Sequence, residues 1–253
     1  MRKLNFSIAL LFFFISACDK KSIFDGPDAY DDGFESYQSI EAIIDGDDEN
    51  WSFFQQTLPE NNIRLDTTIV HSGKQSIKFV GSQTIDKLSK ASINKQHMAF
   101  WEGEIVSVDF WLYIVGNDPL EWLFLFDIEE QTAIGAGPGM RLALVEGKIL
   151  LEHKYGNPNV AQEGDGIRFP RDQWVNVRFE SLLSQRKQGY VKIYQDEVLI
   201  IDQQDWRTLP SDFLYARQGT QGRYSQIEFG VTANPSEHEA ILYVDDVSVE
   251  VVD

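Results

Sequence analysis

The sequence predicts an all-β protein in which two antiparallel sheets pack as a sandwich. Short segments alternate apolar and polar residues with the period of half-buried strands. Turn signals separate these segments, among them Ser72-Gly73-Lys74 and Glu146-Gly147-Lys148. No long helical period is visible. Roughly ten such segments joined by hairpin-length connections favour two packed antiparallel sheets.

The N-terminal segment has the features of an export signal. Arg2 and Lys3 precede an apolar run from Ile8 to Ile15, which is too short to span a membrane stably. The residues Ile15-Ser16-Ala17-Cys18 resemble the lipobox of bacterial lipoproteins. This resemblance implies that residues 1–17 are a cleaved signal peptide and that Cys18 carries lipid, at the outer membrane or cell surface. An ordinary secretory peptide with an incidental cysteine is the alternative.

The segment that follows the cysteine is polar, acidic and interrupted by Gly26-Pro27. It has no apolar period that could be buried, which is typical of a flexible stalk. We therefore expect a lipidated tether over residues 18–32 and one sandwich domain over residues 33–253. We expect this domain to be a monomer.

The net charge limits the classes of partner. The formal charge is −18, and cleavage before Cys18 removes Arg2, Lys3 and no acid, so the mature chain carries −20. Such a chain repels the phosphate backbone, which excludes nucleic acid as a partner. Neutral glycans and cations are favoured instead. Cys18 is the only cysteine, so disulfides and cysteine catalysis are excluded in the lipidated protein.

Each strand is predicted from the alternation of apolar and polar residues between two turn signals. In the segment around Val177, residues Val175 to Phe179 place their apolar side chains on one face and their polar side chains on the other. In the last segment the alternation slips at Asp245-Asp246, which predicts a β-bulge or a functional role for the two adjacent acids. The predicted strands are Gln75–Val80, Ile105–Val115, Trp122–Ile128, Met140–Val145, Lys148–Tyr155, Trp174–Leu182, Tyr190–Tyr194, Glu197–Asp202, Gln226–Val231 and Ala240–Val252.

Several segments, in this order, resemble the concanavalin A-like lectin/glucanase superfamily. They are Asp32–Ser36, His71–Phe79, Phe169–Val177, Gly189–Asp202 and Leu242–Val249. Carbohydrate-binding modules, laminin-G-type domains and several polysaccharide lyases share this fold. The resemblance implies a jelly-roll sandwich and a polysaccharide or oligosaccharide partner, but the fold hosts binding proteins and enzymes alike.

The same resemblance implies a structural calcium site between the two ends of the domain. In similar binding modules the ligands are the glutamate of the opening strand and an aspartate of the closing pair, here Glu35 with Asp245 or Asp246. Asp32 and carbonyl groups near residues 72–74 could complete the oxygen shell that Ca²⁺ requires. Alternatively, Asp245-Asp246 marks a solvated bend of the strand.

A glycan surface needs exposed aromatic rings flanked by hydrogen-bonding groups. Alternation assigns the phenylalanines to the core, namely Phe110, Phe124, Phe126, Phe179 and Phe229. The aromatic residues on the opposite phase or in loops are Trp101, Trp111, Tyr113, Tyr155, Tyr194, Trp206 and Tyr224. The predicted ligand-binding set is Trp111, Tyr113, Arg141, His153, Tyr155, Lys192 and Tyr194.

A polysaccharide lyase is the alternative function. β-Elimination on a uronic acid needs a group that neutralises the carboxylate, a base and an acid, and Arg141, His153 and Tyr155 could fill these roles. The closing strand resembles that of binding modules and not that of lyases. The acids between Glu121 and Glu130 do not follow the order of retaining glucanases. Glycan capture is therefore the leading prediction, and a structural adhesion module is a third possibility.

Overall fold

The computed structural model describes residues 26–44, 49–120, 122–132, 135–153, 158–163, 167–209, 223–233 and 237–252. The predicted signal peptide, Cys18 and Tyr155 lie outside the described residues. Within these ranges the chain forms strands and one short 3-10 helix, Glu41–Ile43. No helix in the described part of the chain is long and apolar enough to cross a membrane.

The strands are β1 Tyr30–Asp32, β2 Phe53–Gln56, β3 Asn62–Asp66, β4 Ser76–Gly81, β5 Ala91–Lys95, β6 Phe100–Trp101, β7 Ile105–Ile114, β8 Leu123–Thr132, β9 Gly135–Val145, β10 Lys148–His153, β11 Val160–Ala161, β12 Trp174–Leu182, β13 Gly189–Gln195, β14 Val198–Trp206, β15 Arg223–Tyr224, β16 Gln226–Val231 and β17 Ala240–Val252. All ten predicted strands are present, and three of them, β12, β16 and β17, have the predicted bounds. The strands that alternation missed are short or polar.

Two antiparallel sheets form the sandwich, which confirms the predicted architecture. Sheet A has the order β14-β13-β12-β7-β17-β4-β3, and β1 pairs with the C-terminal half of β17. Sheet B has the order β11-β10-β9-β8-β16-β5-β2. The inner faces of both sheets bury aromatic residues against one another. Phe110 of sheet A packs 5.0 Å from Phe229 of sheet B, measured between ring centroids.

The predicted bulge in the last strand is confirmed. The register between β17 and β7 shifts between Asp245 and Ser248, and Asp246 has a φ of 46°. The extra residue lets Val244 and Val247 both point into the core, although they are three positions apart. The carboxylates of Asp245 and Asp246 are thereby directed at the loop that begins at His71.

The sandwich begins earlier than the predicted boundary at Gly33. Tyr30–Asp32 pairs with Val247–Val249 and so belongs to sheet A and not to a tether. The Asp32 carboxylate accepts hydrogen bonds from Trp51 Nε1 at 2.7 Å and from the Tyr37 hydroxyl at 2.8 Å. These contacts hold the segment in place, and the acidic composition that predicted a tether did not reveal them.

Candidate functional site

Each sheet has an outer face that points away from the core, and we call these faces A and B. Face B carries a row of polar side chains that runs across five adjacent strands. Cα pairing places Asn94 of β5 opposite Glu228 of β16, Glu228 opposite Asp127 of β8, Asp127 opposite Arg141 of β9, and Arg141 opposite Glu152 of β10. Directly opposed residues point to the same face of a sheet. These five residues form the polar row.

The polar row is deeply buried at its Glu228 end. Asn94 is fully buried, and Glu228 and Asp127 are each 2% exposed. Glu228 accepts a hydrogen bond from the Ser92 hydroxyl and pairs with Lys90 Nζ at 3.3 Å. Burial, helped by the neighbouring Asp127 and Glu129 and opposed by Lys90 and Ser92, raises the pKa of Glu228 to about 7. The row therefore contains a carboxyl group that changes protonation near neutral pH.

A network of amide groups holds this buried end in position. Gln226 Nε2 donates to Glu129 Oε1 at 2.8 Å and to Asn94 Oδ1 at 3.0 Å. Gln96 Nε2 donates to Gln226 Oε1 at 2.8 Å. The Nδ2 group of Asn94 has no hydrogen-bond partner in the described structure. Buried polar atoms are rarely left without a partner, so this donor is an unusual feature of the buried end of the row.

The other end of the polar row is open. Arg141 Nε pairs with Glu152 Oε2 at 2.8 Å, and both side chains are about one-fifth exposed. The Arg141 guanidinium lies over the Phe124 ring at 3.8 Å. Trp122 packs against Phe124 with ring centroids 6.2 Å apart and is 45% exposed. The φ of Trp122 is 57°, which is unfavourable for a bulky residue and is found preferentially at functional positions.

This arrangement has the chemistry of a saccharide site. An exposed indole can stack on the C–H face of a sugar ring. On the same face, the guanidinium of Arg141 and the carboxylate of Glu152 provide donors and acceptors for hydroxyl groups. In the described ranges, no group of three His, Cys, Asp or Glu side chains is arranged to hold a metal ion.

Two of the three predicted lyase residues, Arg141 and His153, do not lie together, and the third, Tyr155, lies outside the described residues. Arg141 is opposite Glu152, and His153 is opposite Met140, so Arg141 and His153 point to opposite faces of sheet B. His153 is buried against the interior, its ring 6.4 Å from Trp206, and burial lowers its pKa. The sequence argument used only the parity of His153 and Tyr155 within one strand. The position of Arg141 depends on the register between strands, which parity does not reveal.

Face A collects the other predicted ligand-binding residues. Trp111, Tyr113, Lys192 and Tyr194 all point outward from β7 and β13, two strands that flank β12. A cleft of about 370 Å³ opens here and is lined by Trp111, Asp109, Asn176, Arg178, Asp196 and Glu197. Three other predicted surface aromatics, Trp101, Trp206 and Tyr224, are instead buried.

The aromatic rings of face A do not form a flat platform. His71 stacks on Trp111 at 3.7 Å, and Tyr113 meets Trp174 edge-on at 67°. Lys192 pairs with Glu180 at 3.6 Å, and Arg178 lies over the Tyr194 ring at 4.2 Å. These side chains therefore make most of their ring and charge contacts with one another. Face A is therefore a weaker candidate for stacking of sugars than the open end of face B.

The predicted calcium ligands surround one loop. Glu35 Oε1 accepts hydrogen bonds from the backbone N–H groups of Lys74 and Gln75, at 2.8 and 3.2 Å. Asp245 accepts from the N–H of His71 at 2.9 Å, and Asp246 accepts from Ser72 Oγ at 2.8 Å. A Cβ atom at Gly73 would lie 2.3 Å from Glu35 Oε1, so this loop requires glycine. The carboxylates act as a hydrogen-bonded staple, and calcium binding stays a prediction.

Comparison with solved structures shows what the fold resembles. The chain matches an endo-β-1,4-glucuronan lyase from the fungus Trichoderma reesei with a TM-score of 0.60 and 10% identity, over 80% of this chain and 91% of that one. The fold is a concanavalin A-like jelly roll. The cellulose induced protein Cip1 matches with a TM-score of 0.57 and 15% identity, over 87% of this chain and 96% of that one. A variant of the alginate lyase Aly36B in complex with an alginate trisaccharide matches with a TM-score of 0.60 and 12% identity, over 90% and 100%.

These likenesses establish the jelly roll and no more, because identities this low show the fold alone. No protein-family model matches the sequence, and no curated protein matches it significantly.

Sequence reasoning missed most of this jelly roll's polar row. Alternation predicted that Phe124 and Phe126 both lie in the core, but the register shifts between them, so Phe124 packs outside the main core while Phe126 lies within it. The shift turns Phe124 onto the outward face, where alternation from Phe126 already places Asp127. One signal was present in the sequence: Asp127 and Glu228 each interrupt a strand that is otherwise largely apolar.

Proposed function

We propose that this jelly roll binds a polysaccharide or oligosaccharide on face B, with the open end of the polar row as the point of entry. The observation that carries the proposal is the polar row itself. Its charged groups are in register across four strands and are recessed, and near the open end Arg141 lies over Phe124, against which the exposed, strained Trp122 packs. Recessed charges cost desolvation energy and are uncommon unless paired or used in binding. The lyase and Cip1 neighbours support a role with glycans.

The proposal includes a lipid anchor at Cys18 and a position at the outer membrane or cell surface. Its support is the N-terminal sequence alone. An anchored glycan-binding domain would capture polysaccharide for a degradation system. Labelling with radioactive palmitate tests the anchor, since Cys18→Ser should abolish incorporation.

The experiment on binding compares two tryptophan variants. We expect Trp122→Ala to weaken binding about tenfold in affinity electrophoresis against a panel of polysaccharides, because stacking of a sugar ring is lost. Trp111→Ala on face A is the matched control and should leave affinity unchanged. Retention of binding in Trp122→Ala with loss in Trp111→Ala would move the site to face A. Absence of binding to the whole panel would reject glycan binding.

A polysaccharide lyase remains the alternative, although two of its predicted residues, Arg141 and His153, point to opposite faces of sheet B. The same panel is followed at the absorbance of unsaturated uronate ends. A rise in absorbance would establish the lyase and reject the pure binding function.

A further inference from the structure

The charges of face B restrict the ligand. Among the residues that the structure describes, four carboxyl groups lie in the polar row or interact with it, namely Asp127, Glu152, Glu228 and Glu129. Two described cations do so, Lys90 and Arg141. Even when Glu228 is protonated, three carboxylates face two cations. The whole chain carries a net charge of −18, so the surrounding protein adds to this negative field.

Both cations are already paired within the protein. Lys90 Nζ lies 3.3 Å from Glu228 Oε1, and Arg141 Nε lies 2.8 Å from Glu152 Oε2. The Arg141 guanidinium is also packed on the Phe124 ring at 3.8 Å. A carboxylate on the ligand would have to compete with Glu152 for Arg141 and would face Asp127 on the adjacent strand. Like charges placed together in this way reduce affinity strongly.

We infer that the glycan bound by the polar row is uncharged and is not a polyuronate. This inference rests on the proposed function. A sugar hydroxyl donates one hydrogen bond and accepts others, so at the open end it can donate to Glu152 while accepting from the Arg141 guanidinium. A uronate carboxylate accepts only and cannot satisfy the acids of the row.

The same charges disfavour the alternative function as a lyase. β-Elimination requires that the uronate carboxylate be neutralised while its neighbouring proton is removed. Arg141 is the cation of the row nearest to the open end, and Glu152 already neutralises it. The jelly roll therefore shares its fold with glucuronan and alginate lyases, but the charges of its polar row favour a different class of glycan.

The experiment uses two oligosaccharides that differ only in charge. A cello-oligosaccharide is compared with the same oligomer oxidised to the carboxylate at C6, by calorimetry on residues 19–253. We expect the neutral oligomer to bind at least about tenfold more tightly. Equal or tighter binding of the oxidised oligomer, or the release of unsaturated ends from it, would overturn the inference while leaving glycan binding intact. Failure of both oligomers and of the wider polysaccharide panel would reject the proposed function itself.

A charge variant tests the reason for the preference. Glu152→Gln removes the partner of Arg141, and we expect it to increase affinity for the oxidised oligomer several-fold while affinity for the neutral oligomer changes little. Glu180→Gln is the matched control, because it removes the carboxylate that pairs with Lys192 on face A. It should leave both affinities unchanged. An equal gain in the two variants would show that general charge, and not the polar row, sets the preference.

Discussion

Faces A and B are built from the same alternation of inward and outward side chains, yet they differ in how deeply their charged side chains are buried. On face A, ion pairs such as Lys192–Glu180 stay partly exposed, and the aromatic rings pack edge-on against one another. On face B, Glu228 and Asp127 are almost completely buried beside one another. Partly exposed pairs cost little to maintain, whereas buried carboxyl groups are expensive. The comparison teaches that burial of outward-facing charge, and not the number of aromatic residues, distinguishes the candidate site.

The largest expected effect concerns the protonation of Glu228. Its pKa is raised from 4.5 to about 7 in the folded protein, so the folded state binds this proton more tightly than the unfolded state. The contribution of Glu228 to stability is therefore fully present below pH 4.5 and is lost as the pH rises from there to about 7. The loss amounts to about 3 kcal/mol, at ~1.4 kcal/mol for each pH unit.

Chemical denaturation of the wild type and of Glu228→Gln at pH 5 and pH 8 checks this expectation. The unfolding free energy of the wild type should fall between pH 5 and pH 8. In Glu228→Gln this fall should be much smaller. Asp245, whose pKa is raised to about 6 by burial, is present in both proteins and cancels from the difference. Glu180→Gln on face A should keep the wild-type dependence. An unchanged pH dependence in Glu228→Gln would show that Glu228 is ionised in the folded state throughout, and the contrast between the faces would disappear.

The next effect compares two arginines that each cover an aromatic ring. Arg141 lies over Phe124 on face B, and Arg178 lies over Tyr194 on face A, at 3.8 and 4.2 Å. Arg141→Ala should lower the unfolding free energy by about 1–2 kcal/mol, since a cation–π contact is lost and Glu152 loses its partner. Arg178→Ala should cost less, about 0.5–1 kcal/mol.

Affinity for the glycan separates these two variants further. Arg141→Ala should weaken binding about tenfold, because a hydrogen-bonding group at the open end of the polar row is lost. Arg178→Ala should bind as the wild type does. Equal affinities in the two variants would mean that face B has no special role in binding.

The fold could be predicted from the sequence because its information is local. The alternation of Val175, Val177 and Phe179 identified β12, and the interrupted phase at Asp245 identified the bulge. The polar row could not be predicted in the same way. Asn94, Glu228 and Arg141 are distant in the sequence and meet only through the order and register of sheet B. Parity within one strand carries no information about this register.

The smallest effect concerns the loop held by Glu35, Asp245 and Asp246 at the edge of face A. Asp246→Ala removes the acceptor for His71 Nδ1 and Ser72 Oγ, at 2.6 and 2.8 Å, from a partly exposed position. We expect a loss of about 1 kcal/mol, equivalent to about 2–4 °C in melting temperature. If hydrogen bonds alone hold the loop, this loss is the same in calcium and in chelator. A calcium-dependent rise in the melting temperature of the wild type that Asp246→Ala abolishes would instead establish the metal site. In that case a carboxylate on face A would also bind a ligand. The two faces would then differ in what they bind, a metal ion on face A and a glycan on face B.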